Sequence, residues 1–165
     1  MASVDYFLKI DGIDGESKDV KHPNEIQLDS FSWGESNSGQ GSATGGGGAG
    51  KVSMQDFHFT AKTTKASPKL MLACASGEHI RSAQLTARKH GETPFEFLFV
   101  KIEEVVVTSF QFGGSVQSAG AHEVLPEDQV SMAFAKIRVD FKDQKADGVL
   151  ETTTFAWDLA ANKKV

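Results

Sequence analysis

The chain has 165 residues and a mass of 17.8 kDa, which is the size of one domain. Apolar residues make up 39 % of it and charged residues 24 %, and this composition excludes wholesale disorder. The net charge of −5 makes a polyanion such as DNA a poor partner. No apolar run is long enough to cross a membrane, and residues 1–11 lack the basic and apolar regions of a Sec-type signal peptide. We therefore expect one domain over residues 1–165, with neither membrane insertion nor nucleic-acid binding.

The N-terminal part of the chain predicts two strands. Polar and apolar residues alternate over residues 4–10, which is typical of a half-buried strand. Further on, Ile26 and Leu28 have one parity, whereas Phe31 and Trp33 have the other. This second strand therefore either changes its buried face or is covered on both sides.

A glycine-rich segment follows directly. Residues 34–50 read GESNSGQGSATGGGGAG and hold almost no side chain that could build a core. Ordering so many glycines costs much backbone entropy, so the segment must be a flexible loop unless a neighbouring molecule holds it. A loop of this length in a compact domain is usually functional or disordered.

The same segment contains a match to the phosphate-binding pattern G-x-x-x-x-G-K, from Gly45 to Lys51. A genuine phosphate loop needs Ser or Thr at the next position and a helix after it. Val52 stands there instead, and the residues beyond it alternate like a strand. We therefore reject nucleotide binding.

One helix is predicted over residues 68–76. Ser67 can act as the N-cap, Pro68 suits the first helical position, and Gly77 suits the residue after the helix. The apolar positions at helical spacing are Leu70, Ala73 and Cys74.

Alternation of apolar and polar residues predicts the remaining strands, which lie at residues 51–61, 84–89, 95–100, 105–112 and 155–159. Within residues 130–141 the apolar residues change from even to odd numbers, which indicates either a β-bulge or two strands joined by a bend. Eight or so strands, one helix and glycine-containing turns favour an antiparallel barrel or sandwich.

No catalytic or metal-binding constellation emerges from the sequence. The histidines are dispersed and are expected on the surface or in strands: His22, His58, His79, His90 and His122. The pairs Glu103-Glu104 and Glu127-Asp128 stand at turn-like places, where solvated carboxylates are the simplest interpretation. Cys74 is the single cysteine, so it can form no intrachain disulfide, and it falls on the buried face of the helix. We therefore expect no enzyme activity, no cofactor and no metal ion.

Segments spread along nearly the whole chain resemble the Hcp family, the haemolysin-coregulated tube proteins of bacterial type VI secretion. The matching segments, whose order and spacing are specific together, are residues 6–17 (YFLKIDGIDGES), 25–34 (EIQLDSFSWG), 45–51, 66–80 (ASPKLMLACASGEHI), 83–91 (AQLTARKHG), 107–115 (VTSFQFGGS) and 128–140 (DQVSMAFAKIRVD).

The resemblance implies a fold and a function together. It implies a β-barrel of two antiparallel sheets with one helix beside it, a homohexameric ring, and rings stacked into a tube. It further implies that a contractile sheath wraps the tube, that a VgrG-type spike tips it, and that small effector proteins enter its lumen. Such a protein would be made in the bacterial cytoplasm and exported without a signal peptide to the extracellular space or a target cell.

The resemblance also leads to two hypotheses about sites. We expect residues 34–50 to form an arm that lies on a neighbouring copy and supports the stacking of rings; its named residues are Gly39, Gly41, Gly45, Gly46, Gly47, Gly48, Gly50 and Lys51. We expect small polar residues to line the wet lumen, and the candidates are Ser30, Ser32, Gly114 and Ser115.

Two other interpretations compete with this one. The chain could be a monomeric β-barrel that carries a small ligand in its interior, with the glycine-rich loop as a flap over the mouth. It could also be an enzyme that uses Cys74 or a carboxylate pair.

Overall fold

The structure, a computed structural model, describes residues 3–39, 50–116 and 125–165. These residues form one helix, α1 (Ala66–Ser76), and twelve strands: β1 (Val4–Ile10), β2 (Ile26–Leu28), β3 (Ser30–Ser32), β4 (Glu35–Asn37), β5 (Val52–Met54), β6 (Phe57–Lys62), β7 (His79–Lys89), β8 (Phe95–Gly113), β9 (Glu127–Ala133), β10 (Lys136–Gln144), β11 (Leu150–Asp158) and β12 (Lys163–Lys164). The predicted mainly β fold with one helix is confirmed. Among the described residues, no helix is long and apolar enough to cross a bilayer.

The strands form two layers that share β8. The large layer runs β12-β11-β10-β8-β7-β1-β2, and all of its pairs are antiparallel. The small layer runs β3-β6-β9 and ends on the second half of β8. The residues predicted as two strands at 95–100 and 105–112 are in fact one strand of 19 residues. This length allows β8 to take part in both layers.

The parity change within residues 130–141 is a bend between two strands. β9 ends at Ala133, which pairs with Val106, and β10 begins at Lys136, which pairs with Glu103. The pairing offset against β8 is the same on both sides of the break, so no residue has been inserted there. Of the two alternatives that the sequence leaves open, the bent pair of strands is correct and the bulge is not.

The neighbouring strands bend along the same line. On β8, Ile102 and Val105 are both buried although their parities differ, because Glu104 between them has a left-handed backbone with φ of 54°. On β7, Ile80 and Ala83 are likewise both buried. β8 therefore exchanges its inner and outer faces where it passes from one layer to the other, and β7 makes the same exchange beside it.

A similar joint separates β2 from β3. Ile26 and Leu28 are buried, Phe31 packs against the same core, and Asp29 stands between them. The amide of Asp29 donates to the carbonyl of Thr60 on β6 at 2.8 Å. Of the two alternatives that the sequence leaves open, the change of buried face is the one observed, and it interrupts the pairing path between the two layers.

Large side chains fill the space between the layers. Phe57, Phe59, Leu85 and Met132 are fully buried or nearly so. The interior between the two layers of the described structure is therefore a packed core, which leaves no room between these side chains for the internal ligand cavity that a small-molecule carrier needs.

The helix is anchored differently from the sequence prediction. It begins at Ala66, and Lys65 occupies the N-cap position without a capping side-chain bond. The Ser67 hydroxyl, expected as the cap, is buried and donates to the carboxylate of Asp128. Gly77 ends the helix in a left-handed conformation with φ of 67°, as predicted.

The start of the glycine-rich segment is ordered as a ribbon. β4 pairs with β5 as a separate two-stranded sheet, so residues 35–37, predicted as loop, are a strand. Because the side chains of Glu35, Ser36 and Asn37 are all exposed, alternation could not identify this strand.

A buried cluster of charges holds the loop of residues 11–25 against the large layer. The Arg88 guanidinium donates to both carboxylate oxygens of Asp19, at 2.6 and 3.0 Å, and to Asp5 at 3.3 Å. Arg88 lies 4.9 Å from the centre of the Phe7 ring. Arg88 lowers the pKa of Asp19 far below its usual range, chiefly through this hydrogen bond.

His22 belongs to the same loop and is buried, contrary to the expectation of a surface or strand histidine. Its Nδ1 lies 2.5 Å from Glu25 Oε2, and its Nε2 lies 2.6 Å from Glu96 Oε1. Its ring stacks on Phe7 at 4.4 Å. The loop is therefore fastened by polar contacts from Arg88 on β7 and Glu96 on β8, and by the contact between its own residues His22 and Glu25.

The Asp19–Arg88 pair makes a prediction about acid stability. Because the folded pKa of Asp19 is depressed, the pair stabilises the protein above the unfolded value of about 3.9 and loses its effect as the pH falls below it. We expect Asp19→Asn to cost about 2 kcal/mol at pH 7, and the deficit should shrink towards pH of about 2. Urea unfolding followed by circular dichroism at several pH values measures this, with Asp14→Asn on the exposed part of the loop as control. A deficit for Asp19→Asn that stays constant with pH would contradict the prediction.

Candidate functional site

The outward face of the small layer carries two rows of polar side chains. The cross-strand pairs place Ser32, His58, Ser131 and Ser109 in one row, and Ser30, Thr60, Gln129 and Gln111 in the next. His58 is the single titratable group in these two rows. The face is therefore a band of uncharged hydrogen-bonding groups.

Hydrogen bonds tie the side chains of the band to one another. The hydroxyls of Ser30 and Thr60 are 2.6 Å apart, and His58 Nδ1 is 3.0 Å from the Ser131 hydroxyl. These contacts cross from β3 to β6 and from β6 to β9, so the side chains are oriented as a set.

Charged residues bound the band at two ends. At one end, Lys62 Nζ lies 3.3 Å from Asp29 and 3.5 Å from Glu127. These carboxylates raise the pKa of Lys62, and the hydrogen bond that Lys62 donates to Asp29 contributes most. At the other end, Asp56 accepts a hydrogen bond from the Thr108 hydroxyl at 2.6 Å.

The small layer ends in a free edge on both sides. β3 pairs with β6 alone, and β8 pairs with β9 on one side while its pairing with β7 stops at Val106. Within the described chain, Val107–Gly113 therefore have no partner strand on that side. Near this edge Phe112 is 59 % exposed and Leu125 is 46 % exposed, so apolar surface accompanies the open backbone.

The structure places the four candidate lumen residues at two opposite edges of the small layer. Ser30 and Ser32 are exposed on β3, at one edge. Gly114 and Ser115 are exposed just beyond the end of β8, at the opposite edge, where they line an open cleft of about 460 Å³ with Lys62. The sequence missed the residues between them, because His58, Thr60, Gln129 and Ser131 stand out only once the register is known.

The candidate arm residues are only partly within the described structure. Gly39 has a left-handed backbone with φ of 56°, and Gly50 lies where a side chain would overlap that of Ser38. The Asn37 amide donates to the Gly50 carbonyl at 2.8 Å, and Lys51 is exposed. The remaining candidates, Gly41, Gly45, Gly46, Gly47 and Gly48, lie outside the described residues.

The carboxylate pairs are not at turns, contrary to the sequence interpretation. Glu103-Glu104 lies within β8 and Glu127-Asp128 within β9. Asp128 is buried, and it accepts hydrogen bonds from the hydroxyls of Thr63, at 2.8 Å, and Ser67. It therefore serves as the anchor that fastens α1 to the small layer.

The remaining candidates for chemistry are isolated. Cys74 is partly buried on α1 and packs against the core. In residues 3–39, 50–116 and 125–165, no three His, Cys, Asp or Glu side chains are grouped so that they could hold a metal ion.

Comparisons with known proteins agree with this architecture. The family model described as "Type VI secretion system effector, Hcp" matches residues 7–141. The chain is 44 % identical over 163 residues to Protein hcp1 of Pseudomonas aeruginosa, and the match covers 97 % of this chain and 98 % of that protein.

Solved structures show the same fold. The crystal structure of Hcp1 from Salmonella typhimurium superposes with a TM-score of 0.78 at 34 % identity, over 100 % of both chains. A structure described as a type six secretion system protein gives a TM-score of 0.86 at 28 % identity, over 99 % of this chain and 100 % of that one. The resemblance that the sequence segments suggested is confirmed, and the chain belongs to the Hcp family of the type VI secretion system.

Proposed function

We propose that copies of this chain close into a hexameric ring, that rings stack into the expelled inner tube of the secretion apparatus, and that the small layer faces the lumen. The observation that carries the proposal is the outward face of this layer, an uncharged polar band with a free edge at each end. The family's type VI assignment supports it.

The two free edges suit a head-to-tail ring. β3 and the second half of β8 lie at opposite ends of the small layer, so one copy can present one edge to the other edge of the next copy. A contact between two different surfaces closes into a ring when the rotation allows it. Closure would cover the open backbone and the exposed Phe112 and Leu125, which would otherwise invite aggregation. Closure would also continue the two rows of polar side chains from one copy to the next around the axis of the ring.

The chemistry of the band suits a cargo surface. Ser, Thr, Gln and His side chains keep their hydration while the lumen is empty and offer donors and acceptors when a protein enters. Ser30 and Ser32 at one edge, and Gly114 and Ser115 at the other, would meet across each boundary between copies. We therefore propose effector proteins as the cargo, bound by hydrogen bonds in preference to ion pairs.

The action is mechanical in this proposal. Contraction of a sheath around the tube would drive the protein out of the cell, with the spike at the tip of the tube, and this export would need neither a signal peptide nor a catalytic step. Among the described residues no group of three His, Cys, Asp or Glu side chains could hold a metal ion, which is consistent with a structural role.

The glycine-rich segment is proposed as the stacking element. The ribbon of β4 and β5 forms the base of this segment, and Gly39 and Gly50 shape that base. Glycines allow backbone to approach backbone closely, which suits a contact with a neighbouring ring.

Ring closure predicts a specific mass. Light scattering after size exclusion should give six times 17.8 kDa for the native protein, and Phe112→Glu should reduce it to single chains, because a buried charge at the edge is costly. Val20→Glu, at a residue 95 % exposed on the loop over the large layer, should keep the ring. Single chains from the native protein at every concentration would refute the ring.

The arm makes a separate prediction. Deletion of residues 39–48 should leave folded hexamers, because the segment contributes no described core residue, but should abolish tube growth. Negative-stain microscopy of concentrated protein distinguishes rings from tubes. Tubes of native length from the deleted protein would remove the arm hypothesis.

The cargo surface predicts a loss of binding without a loss of assembly. Ser32→Trp and Ser115→Trp should each reduce the amount of effector that is retained on purified rings by about tenfold, because a bulky ring removes hydrogen-bonding groups and space. Ser36→Trp, on the exposed β4, is the matched control and should retain effector normally. Normal retention by both lumen variants would contradict the assignment of this face.

A further inference from the structure

The outward face of the large layer carries a row of cations. Lys9 on β1 pairs with Gln84 on β7, Gln84 pairs with Lys101 on β8, and Lys101 pairs with Arg138 on β10. Lys142 lies on the same face of β10, four residues beyond Arg138. We name Lys9, Lys101, Arg138 and Lys142 the basic strip. The strip is unexpected in a chain with a net charge of −5.

Two members of the strip oppose each other directly. Lys101 and Arg138 are cross-strand partners, and like charges in that position destabilise a sheet. Local carboxylates compensate for this in part: Glu103 lies 3.6 Å from Lys101, and Asp140 lies 2.9 Å from Arg138. An external anion that binds between these two cations would reduce their repulsion.

The carboxylate of Asp140 already has hydrogen-bond partners within the protein. It accepts hydrogen bonds from Arg138 Nε and from the Thr154 hydroxyl. Arg138 is the main cause of a lowered pKa for Asp140, so this carboxylate stays ionised and bound. In the part of the chain that the structure describes, Lys9 and Lys142 form no ion pair. The strip therefore has four cations against two carboxylates.

The strip borders an open cleft of about 450 Å³. Phe99 lines it, and Lys142 Nζ is held 4.8 Å from the centre of the Phe99 ring. Gln84 and Thr152 add an amide and a hydroxyl to the lining. The cleft therefore combines positive charge, neutral donors and one aromatic surface in a space that suits a few side chains.

We infer that the basic strip binds an acidic segment of a partner protein. Separate carboxylates can reach Lys101 and Lys142 on either side of the Arg138–Asp140 pair, whereas Glu103 and Asp140 would repel a continuous phosphate backbone. The two layers have opposite outward faces, so the strip lies on the outside of the wall if the small layer lines a lumen. Only this placement rests on the proposed function; the binding does not.

The test uses the full chain and a fluorescein-labelled hexaglutamate peptide. Fluorescence anisotropy measures its affinity for the native protein and for the double variant Lys101→Gln, Lys142→Gln, which leaves the Arg138–Asp140 pair intact. We expect the double variant to bind the peptide about tenfold more weakly than the native protein, because it loses two ion pairs. We also expect the affinity of the native protein to fall when the ionic strength is raised to about 0.15 M.

The matched control is Lys65→Gln, Lys69→Gln, which removes the same charge from exposed positions at the start of α1. It should keep the native affinity within about twofold. Equal losses in both double variants, or no measurable binding by the native protein, would overturn the inference. Tighter binding of a DNA duplex or of phosphatidylglycerol vesicles through the same lysines would also overturn it. Light scattering on the same samples reports ring formation separately, so failure of the strip and failure of the ring are distinguishable.

Discussion

The line along which the strands bend is the constraint on which the rest of the molecule depends. At Glu104, at Asp29 and between β9 and β10, the chain exchanges its inner and outer faces, and β8 keeps its pairing offset against β7 across Glu104. A left-handed backbone at a residue other than glycine costs about 1 kcal/mol, so the surrounding ladders must impose it on Glu104. As a result of the bend, one continuous set of strands forms two layers around one core. Both outward faces, the polar band and the basic strip, follow from that bend.

The bend also explains why the two faces can differ so much in chemistry. β8 exchanges its inner and outer faces at Glu104, and its register against β9 shifts by one residue between Val107 and Ser109. The residues that point outward before these two irregularities include Lys101, while those that point outward after them include Ser109 and Gln111. A single strand therefore contributes cations to one surface and uncharged groups to the other. The core residues between the layers, Phe59 and Leu85 among them, separate the two surfaces by a packed interior.

Much of the fold could be read from the sequence because alternation reports which face is buried. Both parity changes, at residues 26–33 and 130–141, were visible, and each marked a true bend. The register that assembles the polar band from β3, β6, β9 and β8 was not visible, since it depends on pairing between distant segments. The buried contacts of Arg88, His22 and Ser67 were also hidden, because a polar residue in a loop or beside a helix carries no periodic signal of its partner.

These limits have one physical origin. Apolar burial is local in its pattern, because a strand or helix must place such side chains at a fixed period. A buried polar group is instead satisfied by whichever donor or acceptor the tertiary fold brings to it, and Asp128 finds Thr63 and Ser67 more than sixty residues away. The same argument applies to surfaces: the cations of the basic strip come from β1, β8 and β10, and only the sheet makes them neighbours. A site that consists of a cross-strand row is therefore defined by the strand register, and its chemistry can be predicted only once that register is known.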